Sequence, residues 1–237
     1  NILKKIEDSD IPYWFPNSRL MEGKETRRND PMGMTHLHHF FTKRNLWVFA
    51  ALKHRTKEPL LNCALLGGYT VGLKTARFLP ARWINKDTGP MKPHTAGTFY
   101  IPSISGEQNW LNIFNSRTIS SKRAQVKSFV KENQTIGVCS LTNQMKSSNS
   151  LDYIFLDPPF GSNLNYSELN TIWENWLKIV TNNNKEAIEN STQKKGSSEY
   201  RQLMTECFKE AYRVLKPGRW MTVEFSNTKA IVWNNIQ

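Results

Sequence analysis

The chain has 237 residues, 38% of them hydrophobic, and a formal net charge of +12 at pH 7. This length suits one sizeable domain or a core domain with an insertion, and no apolar stretch approaches the length of a membrane-spanning helix. The three cysteines lack C-x-x-C spacing, which argues against a disulfide framework or a zinc site and predicts a cytoplasmic protein.

Positive charge is concentrated in the middle of the chain. Residues 71–131 hold 10 Lys/Arg and 2 Asp/Glu, whereas residues 132–237 hold 11 of each and residues 1–60 hold 11 and 7. A polyanion such as nucleic acid attracts a basic segment of this kind. We therefore predict that about residues 60–131 form a basic, DNA-contacting insertion; the alternative is a generally soluble basic surface.

The elements of the N-terminal half are irregularly spaced. Glu22–Asn29 is charged and is expected to lie exposed. Phe41–Leu52 has the apolar pattern of a helix, with Thr42 as its N-cap. Farther along the chain, Thr98–Ile104 is predicted to be a strand and Ser120–Lys131 a basic helix.

The C-terminal half alternates strands and helices. Strands are predicted at Gln134–Thr142, Leu151–Leu156 and Trp220–Phe225, and helices at Leu169–Val180, Glu199–Leu215 and Lys229–Ile236. Leu151–Leu156 is apolar except for Asp152, as a buried central strand of a parallel sheet is. The polar segment Asn182–Ser198 is expected to be a mobile loop. This alternation predicts an α/β domain with a mostly parallel sheet.

The apolar run Leu151–Leu156 is followed directly by Asp157-Pro158-Pro159-Phe160. This tetrapeptide resembles the D/N/S-P-P-Y/F/W motif of the DNA amino-methyltransferases, which transfer a methyl group from S-adenosylmethionine (SAM) to adenine N6 or cytosine N4. Relatives of the motif occur in N2-guanine RNA methyltransferases and in protein glutamine methyltransferases. The resemblance implies that the catalytic residues are Asp157, Pro158, Pro159 and Phe160.

The chemistry of an exocyclic amino group explains why these residue types suit it. Its lone pair is delocalised into the ring, so attack on a methyl group requires that lone pair to be localised and oriented. Asp157 and the carbonyl of Pro158 are expected to accept the two amino hydrogens, while the prolines keep the loop rigid. Phe160 is expected to stack on a base flipped out of the duplex. The plain alternative is a turn that ends a strand.

The segments around the tetrapeptide extend the resemblance. Ser150–Ile154 matches an S-x-D-x-I lead-in, Gly161–Asn170 resembles the G-S-N-x-x-Y-S-E-L-N of one bacterial branch, and Arg213–Asn227 resembles the R-V-L-K-P-G-G turn of SAM-dependent methyltransferases. The resemblance assigns substrate-binding roles to Ser162, Asn163, Tyr166 and Asn170. Glu168 is expected to orient the loop, while Ser167 and Asn170 also suit helix capping.

The segment His39–Leu46 resembles the F-T-x-R-N-L element of the same branch. The resemblance places it near the methionine carboxylate of SAM, and the amides of a helix N-terminus suit such an anion. The cofactor-binding residues that it implies are Phe41, Thr42, Lys43 and Asn45, together with Asp157. The alternative is an amphipathic core helix with a basic start. The histidines His36, His38 and His39 lack the spacing of a metal site, so no metal is predicted.

One element of the family is missing from the sequence. SAM binding in this family uses an F-x-G-x-G turn after the first strand, and the nearest candidate, Leu65–Tyr69, lacks the acidic lead-in and the following helix. The chain also ends before the family's final β-hairpin. We therefore expect residues 1–237 to form a single, partial catalytic domain, with the glycine-rich motif supplied by a second chain or an upstream segment.

Together these features predict an α/β fold with a Rossmann-like SAM-methyltransferase sheet, mostly parallel but incomplete, and an irregular basic insertion. The predicted function is site-specific methylation of DNA with SAM as cofactor, at adenine N6 in preference to cytosine N4, in a restriction–modification or phage-defence system. Two alternatives stay open: an RNA base methyltransferase, and a non-catalytic methyltransferase-like subunit that binds nucleic acid.

Overall fold

A computed structural model of the chain describes residues 2–80, 84, 91–92, 99–127, 137–144 and 146–236. Within these residues the fold is mixed α/β. The helices are α1 (Ile2–Asp8), α2 (Lys43–Arg55), α3 (Pro59–Gly67), α4 (Trp110–Lys127), α5 (Tyr166–Leu177), α6 (Ser197–Val214) and α7 (Ala230–Asn234). Short 3₁₀ helices lie at Asp30–Met32, Leu37–Phe40, Tyr69–Val71 and Asn183–Lys185.

The described strands form two small sheets. Strands β1 (Arg77–Phe78) and β2 (Met91–Lys92) pair antiparallel. Strands β3 (Leu151–Leu156) and β4 (Leu215–Val223) pair parallel, with Tyr153 opposite Trp220. The predicted parallel arrangement is therefore confirmed for these two strands, in a sheet that has two strands among the described residues.

The chain divides into two compact units. The first consists of Asn1–Glu132 and Glu168–Val180, and the second of Asn133–Ser167 and Thr181–Gln237. The basic segment predicted at about residues 60–131 lies within the first unit, and the Asp157–Phe160 tetrapeptide lies within the second.

Aromatic side chains dominate the core of the first unit. The ring of Phe49 lies 4.7 Å from that of Trp110 and 4.6 Å from that of Trp176 on α5. The helix predicted at Phe41–Leu52 is confirmed as α2, and the Thr42 hydroxyl caps it by accepting a hydrogen bond from the Asn45 amide at 3.2 Å. Burial of each ring contributes roughly 1.5–3 kcal/mol, so this cluster is a main source of stability for the unit.

The prediction that Glu22–Asn29 lies exposed holds for Glu22, Lys24 and Arg28 and is wrong for the rest of the segment. Glu25, Thr26 and Asn29 are buried. The reason is a distant carboxylate: Glu168 on α5 accepts hydrogen bonds from the backbone amides of Glu25 at 2.7 Å and Thr26 at 3.1 Å. A carboxylate bound by backbone amides ties this charged segment to the core of the first unit.

The second unit packs one face of its sheet on helix α6. Ile154 of β3 lies against Ala211 and Val214 of that helix. A second cluster joins α6 to α7 through Tyr200, Met204 and Val232. Helix α6 matches the helix predicted at Glu199–Leu215, which is therefore confirmed.

The prediction that β3 is buried on both faces is wrong. Tyr153 and Phe155 are each 56% exposed, and Trp220 on β4 is 79% exposed. These side chains share the face of the sheet opposite to Ile154, because side chains alternate along a strand. Within the described residues only the α6 face is covered, so the other face of the sheet is open and aromatic.

Two further predicted strands are not found where the structure describes the chain. Residues 99–104 are irregular apart from a backbone hydrogen bond from Phe78 N to Ile104 O at 3.2 Å. Residues 137–142 form irregular structure and a turn, and Val138 is fully exposed, so no strand neighbour supports a ladder there. Thr98 and residues 134–136 of these strand predictions lie outside the described residues, as do residues 128–131 of the predicted basic helix. None of the helices in the described ranges is long and apolar enough to span a membrane.

Candidate active site at the end of strand β3

The Asp157–Phe160 tetrapeptide leaves the sheet at the carboxyl end of β3. The carbonyl of Leu156 still accepts a hydrogen bond from the amide of Glu224 at 2.8 Å, which ends the ladder. Asp157 follows with its side chain exposed, while Pro158 is buried. A residue that precedes proline is held extended, so the chain leaves the strand in a restricted conformation.

Three consecutive backbone carbonyls of this loop, those of residues 159–161, are held by hydrogen bonds. Their donors are the Tyr200 hydroxyl at 2.8 Å, the Asn227 side-chain amide at 2.9 Å and the Glu189 backbone amide at 3.2 Å. The donors come from α6, from the segment after β4 and from the segment after α5. Since three separate elements hold the loop, its backbone is fixed relative to the second unit.

The two acceptors proposed for an amino group are unused. Among the described residues, neither the carboxylate of Asp157 nor the carbonyl oxygen of Pro158 has a hydrogen-bond partner. Nearly all buried carbonyls in proteins are satisfied, and the neighbouring carbonyls of this loop follow that rule. Within the part of the chain that the structure describes, the loop thus presents two adjacent unused acceptors on a fixed backbone.

The Phe160 ring is held edge-on by other aromatic rings. Its centroid lies 5.1 Å from that of Phe225 at an interplanar angle of 82°, and Phe225 packs in the same way on Trp233. The Trp233 indole N–H donates to the Asn227 carbonyl at 2.7 Å. Phe160 is half-buried, so part of its ring lies open to solvent. Stacking of a base on this ring stays a prediction.

Tyr166 is the first residue of helix α5, and the charge of Asp157 affects the pKa of its phenol. Burial raises the pKa of its phenol, and the negative charges of Asp157 and Glu186 raise it further. The phenol is therefore protonated at neutral pH and able to donate a hydrogen bond. One predicted substrate-binding residue therefore lies within electrostatic range of the Asp157 carboxylate.

The remaining predicted substrate-binding residues are exposed but are not all in one place. Ser162 and Asn163 lie in the second unit directly after Gly161, and Ser162 lines a groove of about 510 Å³. Asn170 lies on the part of α5 that belongs to the first unit. The structure thus groups Ser162, Asn163 and Tyr166 with the tetrapeptide in one unit.

Tyr200 is a site residue that the sequence analysis did not single out. It lies on the buried face of α6, four residues before Met204, and burial raises the pKa of its hydroxyl to about 12. A buried tyrosine hydroxyl requires a partner, which here is the carbonyl of Pro159. The amphipathic pattern of α6 predicts that Tyr200 is buried. It does not predict that the hydroxyl of Tyr200 binds the Pro159 carbonyl.

The predicted cofactor-binding segment holds a carboxylate from within the protein. At the N-terminus of α2, the Thr42 hydroxyl and the Arg44 guanidinium both donate to Glu107. Burial opposes ionisation of Glu107, but the hydrogen bonds from Arg44 and Thr42 outweigh this effect and lower its pKa. Lys43 donates to the backbone carbonyl of Glu7. The binding of Glu107 shows that the Thr42 and Arg44 side chains can hold a carboxylate. A ligand carboxylate would have to displace Glu107 to bind there.

The other two residues of this prediction are buried. Phe41 packs against Phe49 in the aromatic core. Asn45 donates from its side chain to the Gly72 carbonyl at 3.1 Å and lines a cavity of about 400 Å³ with Glu107. Both therefore support the conformation of α2, and the role predicted for them at a cofactor stays a prediction.

The candidate glycine turn Leu65–Tyr69 does not follow a strand. Residues up to Gly67 belong to helix α3, and Leu65 and Tyr69 are fully buried in the aromatic core. Because the helix continues through this segment, its backbone amides form hydrogen bonds within the helix and are not available to bind a ligand. In the described part of the chain this segment is thus part of the packing of the first unit.

The three histidines lie close together. The ring of His38 lies 4.4 Å from that of His39 and 5.4 Å from that of His36. Within the described ranges, no group of three or more His, Cys, Asp or Glu side chains is arranged to hold a metal ion. Burial and the charges of the neighbouring histidines lower the pKa of His38.

The chain matches no protein-family model, and no curated protein and no solved structure matches it.

Proposed function

We propose that the chain is the base-binding part of a SAM-dependent DNA methyltransferase of Rossmann-like fold that acts on an exocyclic amino group, with adenine N6 favoured over cytosine N4. One observation carries this proposal. Among the described residues, the Asp157 carboxylate and the Pro158 carbonyl have no hydrogen-bond donor, while the next three carbonyls of the loop are held by the protein. A pair of acceptors on a fixed backbone matches the two hydrogens of an NH₂ group.

The chain's own residues account for the orientation of the nitrogen. Asp157 and the Pro158 carbonyl accept one amino hydrogen each, which draws the lone pair out of conjugation with the ring. Asp157 also lies where it can accept the proton that the methylated nitrogen releases. SAM, when bound, supplies a methyl group on a positively charged sulfonium, so the amino group needs orientation more than a strong base.

Aromatic groups beside the loop suit a flipped base. The open part of the Phe160 ring offers a stacking surface, and base–aromatic stacking contributes about 1–3 kcal/mol. The neutral phenol of Tyr166 offers a hydrogen bond to a ring nitrogen or carbonyl of the base. Flipping costs a few kcal/mol, which stacking of this size offsets in part.

Helix α4 is the proposed contact for the DNA backbone in the basic segment. Arg117, Lys122 and Arg123 are exposed along it, and none of them forms an ion pair within the described residues. Unpaired basic side chains on one helix neutralise phosphates and release counterions, which is the sequence-independent part of DNA affinity. Salt-dependent binding is the expected consequence.

The open face of the β3–β4 sheet supports a partner segment. Parallel strands are normally covered on both faces, yet Tyr153, Phe155 and Trp220 lie exposed here. We propose that a second chain or an upstream segment, carrying the glycine-rich SAM motif, covers this face and adds to the sheet. The same open face favours a second candidate function, a nucleic-acid-binding subunit that does not bind SAM by itself.

Transfer of a radiolabelled methyl group from SAM to duplex DNA, compared with RNA of the same sequence, tests the proposal. The Asp157→Ala variant should lose transfer, while Asp152→Ala, at an exposed aspartate on the preceding strand β3, should retain it. Greater transfer to RNA would favour the RNA base methyltransferase. In the presence of the partner segment, DNA binding without transfer and without heat of SAM binding in a calorimetric titration would replace the enzyme with the second candidate.

A further inference from the structure

A groove of about 510 Å³ lies in the second unit next to the candidate active site. It begins at Ser162, two residues beyond Phe160, and its lining includes Glu189, Lys194, Ser197 and Lys229. Three lysines and one glutamate line it in total, which gives a net lining charge of 3 − 1 = +2. The groove is therefore cationic and carries hydroxyl groups.

The segment that forms one wall of this groove is built firmly, in contrast to the mobile loop expected for Asn182–Ser198. Asn190 and Lys195 form an antiparallel bridge, with N–H···O distances of 2.9 and 3.0 Å. The Lys195 ammonium donates to the backbone carbonyls of Asn183 at 2.6 Å and Glu186 at 2.7 Å. These bonds hold the wall in one shape.

The same wall is attached to the tetrapeptide loop. The Glu189 amide donates to the Gly161 carbonyl at 3.2 Å. The Glu186 carboxylate accepts hydrogen bonds from the Ser167 amide at 2.8 Å and from the Ser167 hydroxyl at 2.7 Å. The groove is thus fixed relative to the two free acceptors of Asp157 and Pro158.

Two ammonium groups of the groove are available to a ligand. Lys194 and Lys229 are exposed, and within the described residues neither forms an ion pair. Lys194 has the left-handed conformation, with φ at 54°, at the end of the turn in which its amide donates to Ser191 O. The Lys195 ammonium, by contrast, donates to backbone carbonyls. The positive charge that the groove offers to a ligand is therefore that of the two exposed lysines.

We propose that this groove binds a backbone phosphate of the DNA strand beside the flipped nucleotide. The inference rests on the proposed function and names a second DNA contact, separate in sequence from helix α4. Ammonium groups bind phosphate as point charges, and the Ser162 and Ser197 hydroxyls add directional donors. Because Ser162 follows Phe160 by two residues and lines the groove, we expect the phosphodiester next to the flipped nucleotide to be the anion that reaches it.

Fluorescence anisotropy with a short labelled DNA duplex tests this assignment for the full chain. The double variant Lys194→Glu/Lys229→Glu should bind at least tenfold more weakly at low salt. Its slope of log K against log salt, measured from about 50 to 200 mM, should be smaller by about 1, because the counterion-release term of the one phosphate contact is lost. Thermal melting by circular dichroism shows whether the variant folds.

A matched control and a milder variant complete the design. Lys4→Glu/Lys5→Glu on α1 makes the same change in net charge in the first unit and should leave the salt slope unchanged. Lys194→Asn/Lys229→Gln removes the charges with residues that suit both positions, since asparagine tolerates a positive φ. This neutral variant should show the same loss of slope. Its slope is the one to use if the charge-reversed protein is poorly folded.

The outcomes separate the groove from the proposed function. If the wild-type chain binds DNA and the groove variants keep its affinity and slope, the groove assignment is overturned and the proposed function stands. An equal loss in the α1 control overturns the assignment too, because net charge then explains the effect. No DNA binding by the wild-type chain overturns the proposed function itself. Tighter, groove-dependent binding of duplex RNA would overturn DNA as the source of the phosphate.

Discussion

The carboxylate of Glu168 occupies the space beside Gly23 where a side chain would begin. A Cβ at residue 23 would lie 2.1 Å from the Glu168 carboxyl carbon. Glycine at this position lets the backbone approach the carboxylate, which then accepts hydrogen bonds from the Glu25 and Thr26 amides. Glu168, two residues into the α5 helix, thereby organises a segment more than 140 residues away in sequence.

Gly23→Ala is expected to destabilise the protein by about 1–3 kcal/mol, because overpacking a buried site forces the Glu168 carboxylate away from its donors. Denaturant-induced unfolding followed by circular dichroism measures the change in free energy. Gly67→Ala is the control, since a Cβ there meets nothing within 4 Å. Equal stability of Gly23→Ala and Gly67→Ala would contradict the tight contact.

Tyr200→Phe is expected to lower the rate of methyl transfer and to cost about 1 kcal/mol of stability. The substitution keeps the buried ring but removes the hydroxyl that donates to the Pro159 carbonyl at 2.8 Å. Tyr200 acts here as a positioning residue for the loop. We therefore expect kcat to fall even at temperatures at which the variant is fully folded.

The matched control for this change lies on the same helix. Tyr212 is 82% exposed on α6, and Tyr212→Phe should leave both kcat and the melting temperature unchanged. If Tyr200→Phe changes the melting temperature alone, the hydroxyl serves stability and not the orientation of the loop.

The histidine cluster predicts that stability falls in mild acid. Burial lowers the pKa of His38, and the charges of His39 and His36 lower it further, against a hydrogen bond to the Pro16 carbonyl that raises it. For His39, burial and the charges of His36 and Lys74 lower the pKa. A folded-state pKa below the unfolded value of about 6.5 means that the unfolded state binds more protons.

The stability contributed by these neutral histidines is therefore fully present above about pH 6.5 and is lost as the pH falls through the lowered folded-state pKa values. The free energy of unfolding should decrease between about pH 7 and pH 5. His38→Gln should flatten that decrease, whereas His54→Gln, outside the cluster, should preserve it. A pH-independent wild-type stability over this range would refute the assignment.

Glu107→Gln is expected to strengthen the binding of SAM by this chain or by its assembly with a partner segment. The substitution removes the negative charge that Thr42 and Arg44 now bind and weakens their hydrogen bonds to residue 107, so a ligand carboxylate competes better for these donors. Isothermal titration calorimetry measures the affinity, with Glu58→Gln as a control at a carboxylate outside this contact. Weaker binding in Glu107→Gln would place the SAM carboxylate elsewhere.

Local patterns in the sequence were sufficient for several elements of the fold. Thr42 begins α2 as predicted, since an N-cap acts within three residues. Helix α6 ends at Val214, one residue before the end predicted for the helix Glu199–Leu215. The parallel pairing of β3 with β4 followed from the strand–helix–strand order.

Features that depend on distant partners were not predictable in this way. The charged segment around Glu25 is buried because Glu168 binds its amides, and nothing near Glu25 in the sequence signals that partner. The segment after Asn182 is polar like a mobile loop, yet its side chains satisfy its own carbonyls through Lys195. Tyr200 reads as a core residue, and only the fold shows that its hydroxyl reaches Pro159.

The most direct test of the central claim is methyl transfer to duplex DNA by a graded series at residue 157, in the presence of SAM and of any partner segment needed for SAM binding. Asp157→Ala removes the acceptor, and transfer should fall to the background level. Asp157→Asn retains one oxygen acceptor without the charge, and transfer should be reduced but measurable. Wild-type rates of transfer by Asp157→Ala, with a normal melting temperature, would contradict the account.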